Sequence, residues 1–294
     1  MEARMNTENA GYKAHAFEAR NLLIFFLIAL VYPLLLGGLN YVGILKMPSG
    51  IADPNLIPFL IVAWPAILGP TFAAFVTAAI TEGKPGVKAL WARFWNRRLS
   101  VRWLLVAVLC LPVLRLLGGI LTQILSKPPF PLLAEGGISA VGSGILLGLF
   151  AGLKEEFGWR GYALPRFQAK WNALTSGLVL GVITGVWHLP AFFMPGEPLF
   201  GQDLGTWFAW HMLIQVVNTW IFNNTDGNVL ALVLFHTTTS LGIFNVDWLY
   251  IGILLLVAVL IVAICGPKNL VRQGRGQLVA QPGVEAVGAQ PLIR

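Results

Sequence analysis

Eight stretches of the sequence are apolar over the length of a bilayer crossing, for which a helix needs about 20 residues. They lie near residues 22–43, 57–80, 103–124, 138–160, 173–192, 205–223, 229–246 and 248–265. The whole chain is 56% hydrophobic and only 11% charged, whereas an average soluble domain carries roughly 25% charged residues. The sequence therefore predicts an all-α, polytopic membrane protein with about eight transmembrane helices.

Positive charges gather in alternate connecting segments. The loop 81–102 carries Lys84, Lys88, Arg93, Arg97, Arg98 and Arg102, and further positives follow at Arg166, Lys170, Lys268, Arg272 and Arg275. The opposite loops hold chiefly Lys46 and Lys127. The positive-inside rule then predicts that both termini are cytoplasmic. Basic cytoplasmic loops also account for the formal charge of +7, so we expect the lipid bilayer as a partner and no nucleic acid.

The chain divides into three parts. Residues 1–21 form a cytoplasmic N-terminal segment, 22–265 the membrane domain, and 266–294 a polar cytoplasmic tail that we expect to be disordered. The first apolar run is long and lacks a small-residue cleavage site, which favours a first span over a cleaved signal peptide. Cys110 and Cys265 lie in apolar runs, where packing is the expected role.

The basic loop is itself patterned. Val87, Leu90, Trp91 and Phe94 recur at i, i+3, i+4 and i+7, with Lys88 and the arginines off that stripe. This pattern is typical of an amphipathic helix lying on the inner leaflet. Membrane anchoring is the favoured role, and substrate docking is the alternative.

Glycine recurs every fourth residue in two of the predicted spans. The positions are Gly144, Gly148 and Gly152 in the fourth span, and Gly177, Gly181 and Gly185 in the fifth. Small residues at this spacing let helix backbones approach closely within lipid. Both faces are therefore predicted to pack tightly against neighbouring helices.

Two adjacent carboxylates end the fourth apolar run. Glu155 and Glu156 follow the apolar stretch 145–153, and Arg160 comes four residues after Glu156. On a helix Glu156 and Arg160 share a face and can pair, which leaves Glu155, about 100° around the helix, available for other work. Because an ionisable side chain within a membrane span is expensive, it is a functional hypothesis by default.

One histidine is predicted to come level with these carboxylates, and a second is available at moderate depth. The chain turns near Lys170–Asn172, sixteen residues from both Glu156 and His188. In an antiparallel hairpin, equal distances from the turn give equal depth. His236 lies early in the seventh span, with Ser240 one turn later on its face. We therefore expect the helices to enclose a polar cavity lined by these side chains.

As a set, these residues resemble the CPBP family, the CAAX protease and bacteriocin-processing intramembrane proteases. The resemblance covers about 145–245 and rests on Glu155-Glu156-x-x-x-Arg160, a histidine in Trp187-His188-Leu189-Pro190, and His236 with a polar residue four later. It implies an intramembrane endopeptidase, like the type II CAAX prenyl endopeptidases, acting on membrane-associated peptides or proteins.

The resemblance also implies roles for the residues. Glu155 would be the general base that activates water together with His188, His236 and Ser240 would stabilise the oxyanion, and Arg160 would fix Glu156. Two positions depart from the family pattern: Thr184 replaces a phenylalanine, with packing as the expected effect, and Ser240 replaces an asparagine. A serine hydroxyl can donate one hydrogen bond, but from a shorter arm.

Three alternatives remain at this point. Glu155, His188 and His236 could bind a zinc ion with an open position for water, although the absence of the zincin motif H-E-x-x-H favours chemistry without a metal. Buried carboxylates and histidines also suit an ion-coupled transporter, but no internal repeat supports one. Ser240 favours a non-catalytic scaffold or an immunity-type protein.

Other polar residues receive no chemical role. Arg115 lies in the third span, where it could meet a glutamate, bind a substrate carboxylate or form an interhelical pair. His211, Gln215 and Asn218 follow i, i+4 and i+7 in the sixth span, and are expected to line the cavity or bond across helices. The substrate, and whether it is prenylated, is not encoded in any motif.

Overall fold

The computed structural model describes residues 18–45, 53–96, 99–125, 137–193, 199–241 and 248–272. Within those ranges the protein is helical and contains no strand. The α-helices are α1 (Ala19–Phe26), α2 (Tyr32–Tyr41), α3 (Leu56–Phe94), α4 (Val101–Leu125), α5 (Gly137–Glu156), α6 (Leu164–Gln168), α7 (Ala173–His188), α8 (Leu204–Asn224), α9 (Val229–Thr239) and α10 (Trp248–Cys265). Each predicted apolar stretch coincides with one or more of these helices, which confirms the all-α fold class.

Helical segments of other pitch join some of these helices. A π-helical segment, Leu27–Val31, links α1 to α2, and another, Phe157–Ala163, links α5 to α6. A short 3₁₀ turn, Leu189–Phe192, follows α7. The predicted spans 22–43, 138–160 and 173–192 are therefore continuous in direction but change their hydrogen-bond register along their length.

Among the described residues, three helical stretches are long and apolar enough to cross a membrane: Ala19–Leu36, Val101–Leu125 and Ala173–Phe192. Val229–Thr239 and Leu249–Cys265 are shorter apolar helices. Many large apolar side chains of α4 and α10, including Ile124 and Leu256, are exposed on the outside of the bundle, as lipid-facing surfaces are. By length and composition the protein is therefore an integral membrane protein.

Helix α3 bends at two glycines. Gly69 (φ 49°) and Gly83 (φ 67°) have backbone angles outside the helical region, which glycine adopts without a Cβ clash. The predicted amphipathic stretch thus forms the end of α3, after the second bend. Trp91 stacks on Phe157 at 5.8 Å with an interplanar angle of 5°, so part of the apolar stripe packs on the protein itself. Arg97 and Arg98 lie outside the described residues.

Helices α7, α8 and α9 begin at side-chain caps. Asn172 accepts a hydrogen bond from the Thr175 amide ahead of α7, and Asn228 accepts one from the Ala231 amide ahead of α9. Asp203 caps α8, where the hydroxyl and the amide of Thr206 hold the pKa of its exposed carboxyl below the usual value. Each cap satisfies an otherwise unpaired amide and fixes the residue at which the helix starts.

Both glycine faces pack as predicted. Every glycine of the α5 face meets the backbone of α9: an added Cβ would lie 2.7 Å from the Ser240 carbonyl oxygen at Gly144, 2.8 Å from that of Thr237 at Gly148, and 3.0 Å from that of Val233 at Gly152. The α7 face meets α8, because a Cβ at Gly181 would lie 2.7 Å from Gln215 Cγ. Helix α5 is thereby held against α9, and α7 against α8.

The first residues of the predicted tail are ordered and packed. Ala173 and Leu174 donate their amides to the carbonyl oxygens of Lys268 and Pro267 at 2.9 and 3.1 Å. Leu270 is fully buried, and its carbonyl accepts a hydrogen bond from Asn224. Residues 266–272 therefore belong to the membrane domain rather than to a disordered tail, whereas 1–17 and 273–294 lie outside the described residues.

Candidate active site

The two adjacent glutamates are buried at the junction between α5 and the π-helical segment. Glu155 is 4% exposed and Glu156 is fully buried. The segment lies directly against α3, because a Cβ at Gly158 would come within 2.4 Å of Pro70. Single-turn π segments occur often at functional sites. All seven residues of the segment are buried, and it brings Arg160 into the interior of the bundle beside Glu156.

Glu156 is the centre of a charged network. Its Oε1 accepts a hydrogen bond from Arg160 Nη1 at 3.1 Å and one from His236 Nδ1 at 2.7 Å. Arg160 is itself buried, and its Nη2 donates to Gln215 Oε1 at 2.7 Å. Glu156 Oε2 is buried without a hydrogen-bond partner among the described residues. The predicted pairing of Glu156 with Arg160 is thus present, and it links α5, the π segment, α8 and α9.

Glu155 has different neighbours. Its Oε2 lies 4.0 Å from His188 Nε2, and its Oε1 lies 3.8 Å from Lys154 Nζ. His188 Nδ1 donates to the backbone carbonyl of Thr184 at 2.8 Å, because a carbonyl oxygen only accepts. His188 Nε2 is therefore directed at Glu155. The structure places these side chains at one depth, as the symmetric hairpin predicts.

His236 and Ser240 sit at the end of α9. His236 Nδ1 is the atom bonded to Glu156, which leaves its Nε2 for other partners. Ser240 ends the helix and is half-buried, with its amide bonded to the Thr237 carbonyl at 3.1 Å. Among the described residues the Ser240 hydroxyl makes no bond to the glutamates or to His236. The structure therefore assembles five of the predicted residues by direct contact and leaves Ser240 one turn beyond them.

Two residues of α8 complete the network. Gln215 Nε2 lies 3.1 Å from His211 Nε2, and the same ring nitrogen lies 2.8 Å from Thr184 Oγ1. His211, Gln215 and Thr184 are all buried. Thr184 is thus a hydrogen-bonding residue, and the expectation that it alters packing only is wrong. The polar i, i+4 pair in an apolar span was the available signal, but it does not say which way the helix faces.

Aromatic rings enclose His188. Its ring centroid lies 4.8 Å from that of Trp187 and 5.2 Å from that of Trp207. Trp207 also stacks on His211, with centroids 4.6 Å apart and planes 11° from parallel. Lys154 Nζ lies 5.3 Å from the Trp187 ring. The site is therefore a polar cluster within an apolar aromatic wall, where charges interact more strongly than they do in water.

The zinc alternative for Glu155, His188 and His236 stays a prediction. Within the part of the chain that the structure describes, no group of three His, Cys, Asp or Glu side chains could hold a metal ion. The Nδ1 atom of His236 is bonded to Glu156, which leaves its Nε2 for another partner. Arg115 is buried in α4, and the described partners of both glutamates are other residues.

Comparison with known proteins gives two findings. Residues 137–242 match the family model of Rce1-like type II CAAX prenyl endopeptidases. CAAX prenyl protease 2 of Methanococcus maripaludis is 24% identical over 202 residues, which are 63% of this chain and 72% of that protein. The matched residues contain all six of the predicted site residues. Over residues 137–242 this chain is therefore similar to the Rce1-like type II CAAX prenyl endopeptidases, which confirms the resemblance predicted from its motifs.

Proposed function

We propose that this protein is an intramembrane endopeptidase in which Glu155 activates a water molecule to hydrolyse a peptide bond of a membrane-associated peptide or protein. The observation that carries the proposal is the gap between Glu155 Oε2 and His188 Nε2. At 4.0 Å the two atoms are too far apart for a direct hydrogen bond. The separation instead suits a water molecule that bonds to both.

Glu155 would carry out both proton transfers, and His188 would position the water. Glu155 takes a proton from the water as the water oxygen attacks the peptide carbonyl carbon. His188 Nε2 holds the water in line for this attack. The tetrahedral intermediate then collapses, the C–N bond breaks, and Glu155 returns the proton to the leaving amine. General acid–base transfer by a positioned side chain contributes about 10²–10⁴-fold to such rates.

The neighbouring network would stabilise the charge that develops on the carbonyl oxygen. His236 is oriented by the bond from its Nδ1 to Glu156, and a proton on its Nε2 could be donated to the oxyanion. Ser240 is a second candidate donor, by the family resemblance. Such donors act strongly in a dry site because they are fixed before the reaction. Arg160 keeps Glu156 in place.

The experiment is cleavage by the purified protein in proteoliposomes. Because the Methanococcus relative is a CAAX prenyl protease, a peptide with a prenylated C-terminal CAAX sequence is the first substrate, with its unprenylated form as the comparison. Mass spectrometry of membrane peptides from cells with the active protein or Glu155→Ala extends the search to other substrates. We expect products only with an intact Glu155.

Three results would change the proposal. If Glu155→Ala cleaves as fast as the wild type, Glu155 is not the base. If a strong chelator abolishes cleavage and zinc restores it, a metal supplies the activated water and the role given to Glu155 as base is wrong. Proton-coupled solute uptake without any peptide cleavage would replace the endopeptidase with a carrier.

A further inference from the structure

The structure assigns Gln215, His211 and Thr184 as a directed hydrogen-bond chain that positions His188 opposite Glu155. This hydrogen-bond chain begins at Arg160 and ends at the backbone of Thr184. It therefore joins the Glu156 network to His188. Its hydrogen-bond directions follow from the donors and acceptors alone. The positioning role rests on the proposed function.

Arg160 sets the first direction. A guanidinium only donates, so the group 2.7 Å from Arg160 Nη2 must be the amide oxygen of Gln215. The other end of that amide, Nε2, then faces His211 Nε2 at 3.1 Å. Because an amide NH₂ only donates, His211 Nε2 must be the acceptor.

The direction of the hydrogen bond between Thr184 and His211 follows from that result. Thr184 Oγ1 lies 2.8 Å from the same ring nitrogen, and a nitrogen that accepts carries no proton to give, so the Thr184 hydroxyl donates as well. His211 is therefore neutral and protonated on Nδ1. In the reverse direction His211 would donate to Thr184 and Thr184 to the Gly181 carbonyl, 3.2 Å away. That arrangement would set the Gln215 N–H against a ring N–H.

The end of the chain holds His188. The Thr184 side chain is tied to His211 while its carbonyl accepts the Nδ1 proton of His188 at 2.8 Å. Trp207 is stacked on His211 and also contacts His188. Thr184 and His211 thus fix both a hydrogen-bond partner and one wall of the His188 ring. They act through His188 and are positioning residues.

Nitrogen NMR of histidine tests the directions without any substrate. The protein has four histidines, so ¹⁵N-histidine labelling of the full-length protein gives few signals. The variant His211→Gln identifies the signal of His211. We expect a neutral ring protonated on Nδ1. In Gln215→Glu the carboxylate still accepts from Arg160 but no longer donates, so the proton should move to Nε2. A wild-type ring protonated on Nε2, or on both nitrogens, would overturn the assignment.

Kinetics test the positioning role. Thr184→Val keeps the shape and removes the hydroxyl, whereas Thr184→Ser keeps a hydroxyl and serves as the matched control. We expect kcat to fall roughly tenfold or more in Thr184→Val, since small displacements at a reacting group can cost up to about 10² in rate. KM should change less than about twofold, as for an interaction used only in the transition state, and Thr184→Ser should recover most of kcat.

Failure of the proposed function and failure of the positioning role give different results. A wild-type protein that cleaves none of the peptides contradicts the proposed function, while the NMR result still decides the hydrogen-bond chain. A Thr184→Val protein with the wild-type kcat, in an enzyme that does cleave, contradicts the positioning role alone. A change in KM with an unaltered kcat has the same meaning, because it would place Thr184 in substrate binding.

Discussion

Glu155 and Glu156 are adjacent in the chain and buried in the same cluster, yet their surroundings differ. Glu156 accepts two short hydrogen bonds, from Arg160 and His236. Glu155 faces His188 and Lys154 at 3.8–4.0 Å, beyond ordinary hydrogen-bond distance. One carboxylate is committed to the protein, and the other keeps lone pairs for a substrate or for water.

The difference shows how a membrane protein can carry a reactive charge in an apolar interior. A buried ion is tolerated when partners satisfy it, and the Glu156 network supplies those partners for the region as a whole. The residue left with looser contacts is then the better candidate for chemistry. In this protein the second glutamate, the arginine and the α8 glutamine build the site, and Glu155 with His188 would use it.

Replacement of Glu155 should give the largest effect on activity. Glu155→Gln keeps the shape and removes the base, so we expect cleavage to fall by about 10²–10⁴-fold. Thermal stability in detergent should change by less than about 1 kcal/mol, because no short hydrogen bond to Glu155 is lost. Parallel rate and unfolding measurements on one preparation check both parts. A large loss of stability would mean that Glu155 is as structural as Glu156.

Replacement of Arg160, in contrast to that of Glu155, should cause a large loss of stability. Arg160→Met leaves Glu156 buried with one partner fewer, and breaking a buried pair in this way costs about 3–5 kcal/mol. The double variant Arg160→Met with Glu156→Gln removes both charges and should recover part of that stability. Unfolding midpoints of the single and double variants measure the coupling. Additive effects of the two substitutions would show that the pair is not energetically linked.

The sequence predicts the parts of this arrangement that depend on distance along a helix. The rise per residue is fixed, so the eight apolar stretches and the common depth of Glu156 and His188 follow from counting residues. The pairing of Glu156 with Arg160 survives as well, although the chain there is π-helical. Spacing alone was sufficient for each of these.

Rotation between helices is what the sequence does not provide. His211 and Gln215 were visible as a polar pair, but their contact with Arg160 depends on which face α8 turns toward α7. Comparison with the family pattern predicts a packing effect for Thr184. Its hydrogen bond to His211 depends on how α7 and α8 are placed in three dimensions. The packed segment 266–272 likewise depends on tertiary contacts, which override local composition.

The contact between α5 and α9 should be the next most sensitive feature, because it holds Glu156 beside His236. A methyl group at Gly148 would lie 2.8 Å from the Thr237 carbonyl oxygen, whereas Gly142 on the same helix has nothing within 4 Å. Gly148→Ala should therefore destabilise the protein by about 1–3 kcal/mol through overpacking. Gly142→Ala is the matched control and should leave stability and cleavage unchanged. Equal behaviour of the two variants would show that close α5–α9 packing is not needed to build the site.

The smallest effect is expected at Ser240, one turn beyond the two contrasted carboxylates. Asparagine has a longer arm with two N–H donors, so Ser240→Asn should raise kcat by up to about tenfold, or roughly 1.4 kcal/mol in the barrier, if this residue contributes to the oxyanion site. Ser240→Ala is the companion variant and should lower kcat by less than about tenfold, or roughly 1.4 kcal/mol in the barrier, because it removes one hydroxyl donor on a short arm. Steady-state cleavage of one CAAX peptide by all three proteins gives the comparison. If kcat is the same for serine, alanine and asparagine, the oxyanion is held without Ser240. The oxyanion is then stabilised by His236, which Glu156 orients. Glu155 would act on the water, and Glu156 would act on the oxyanion through His236.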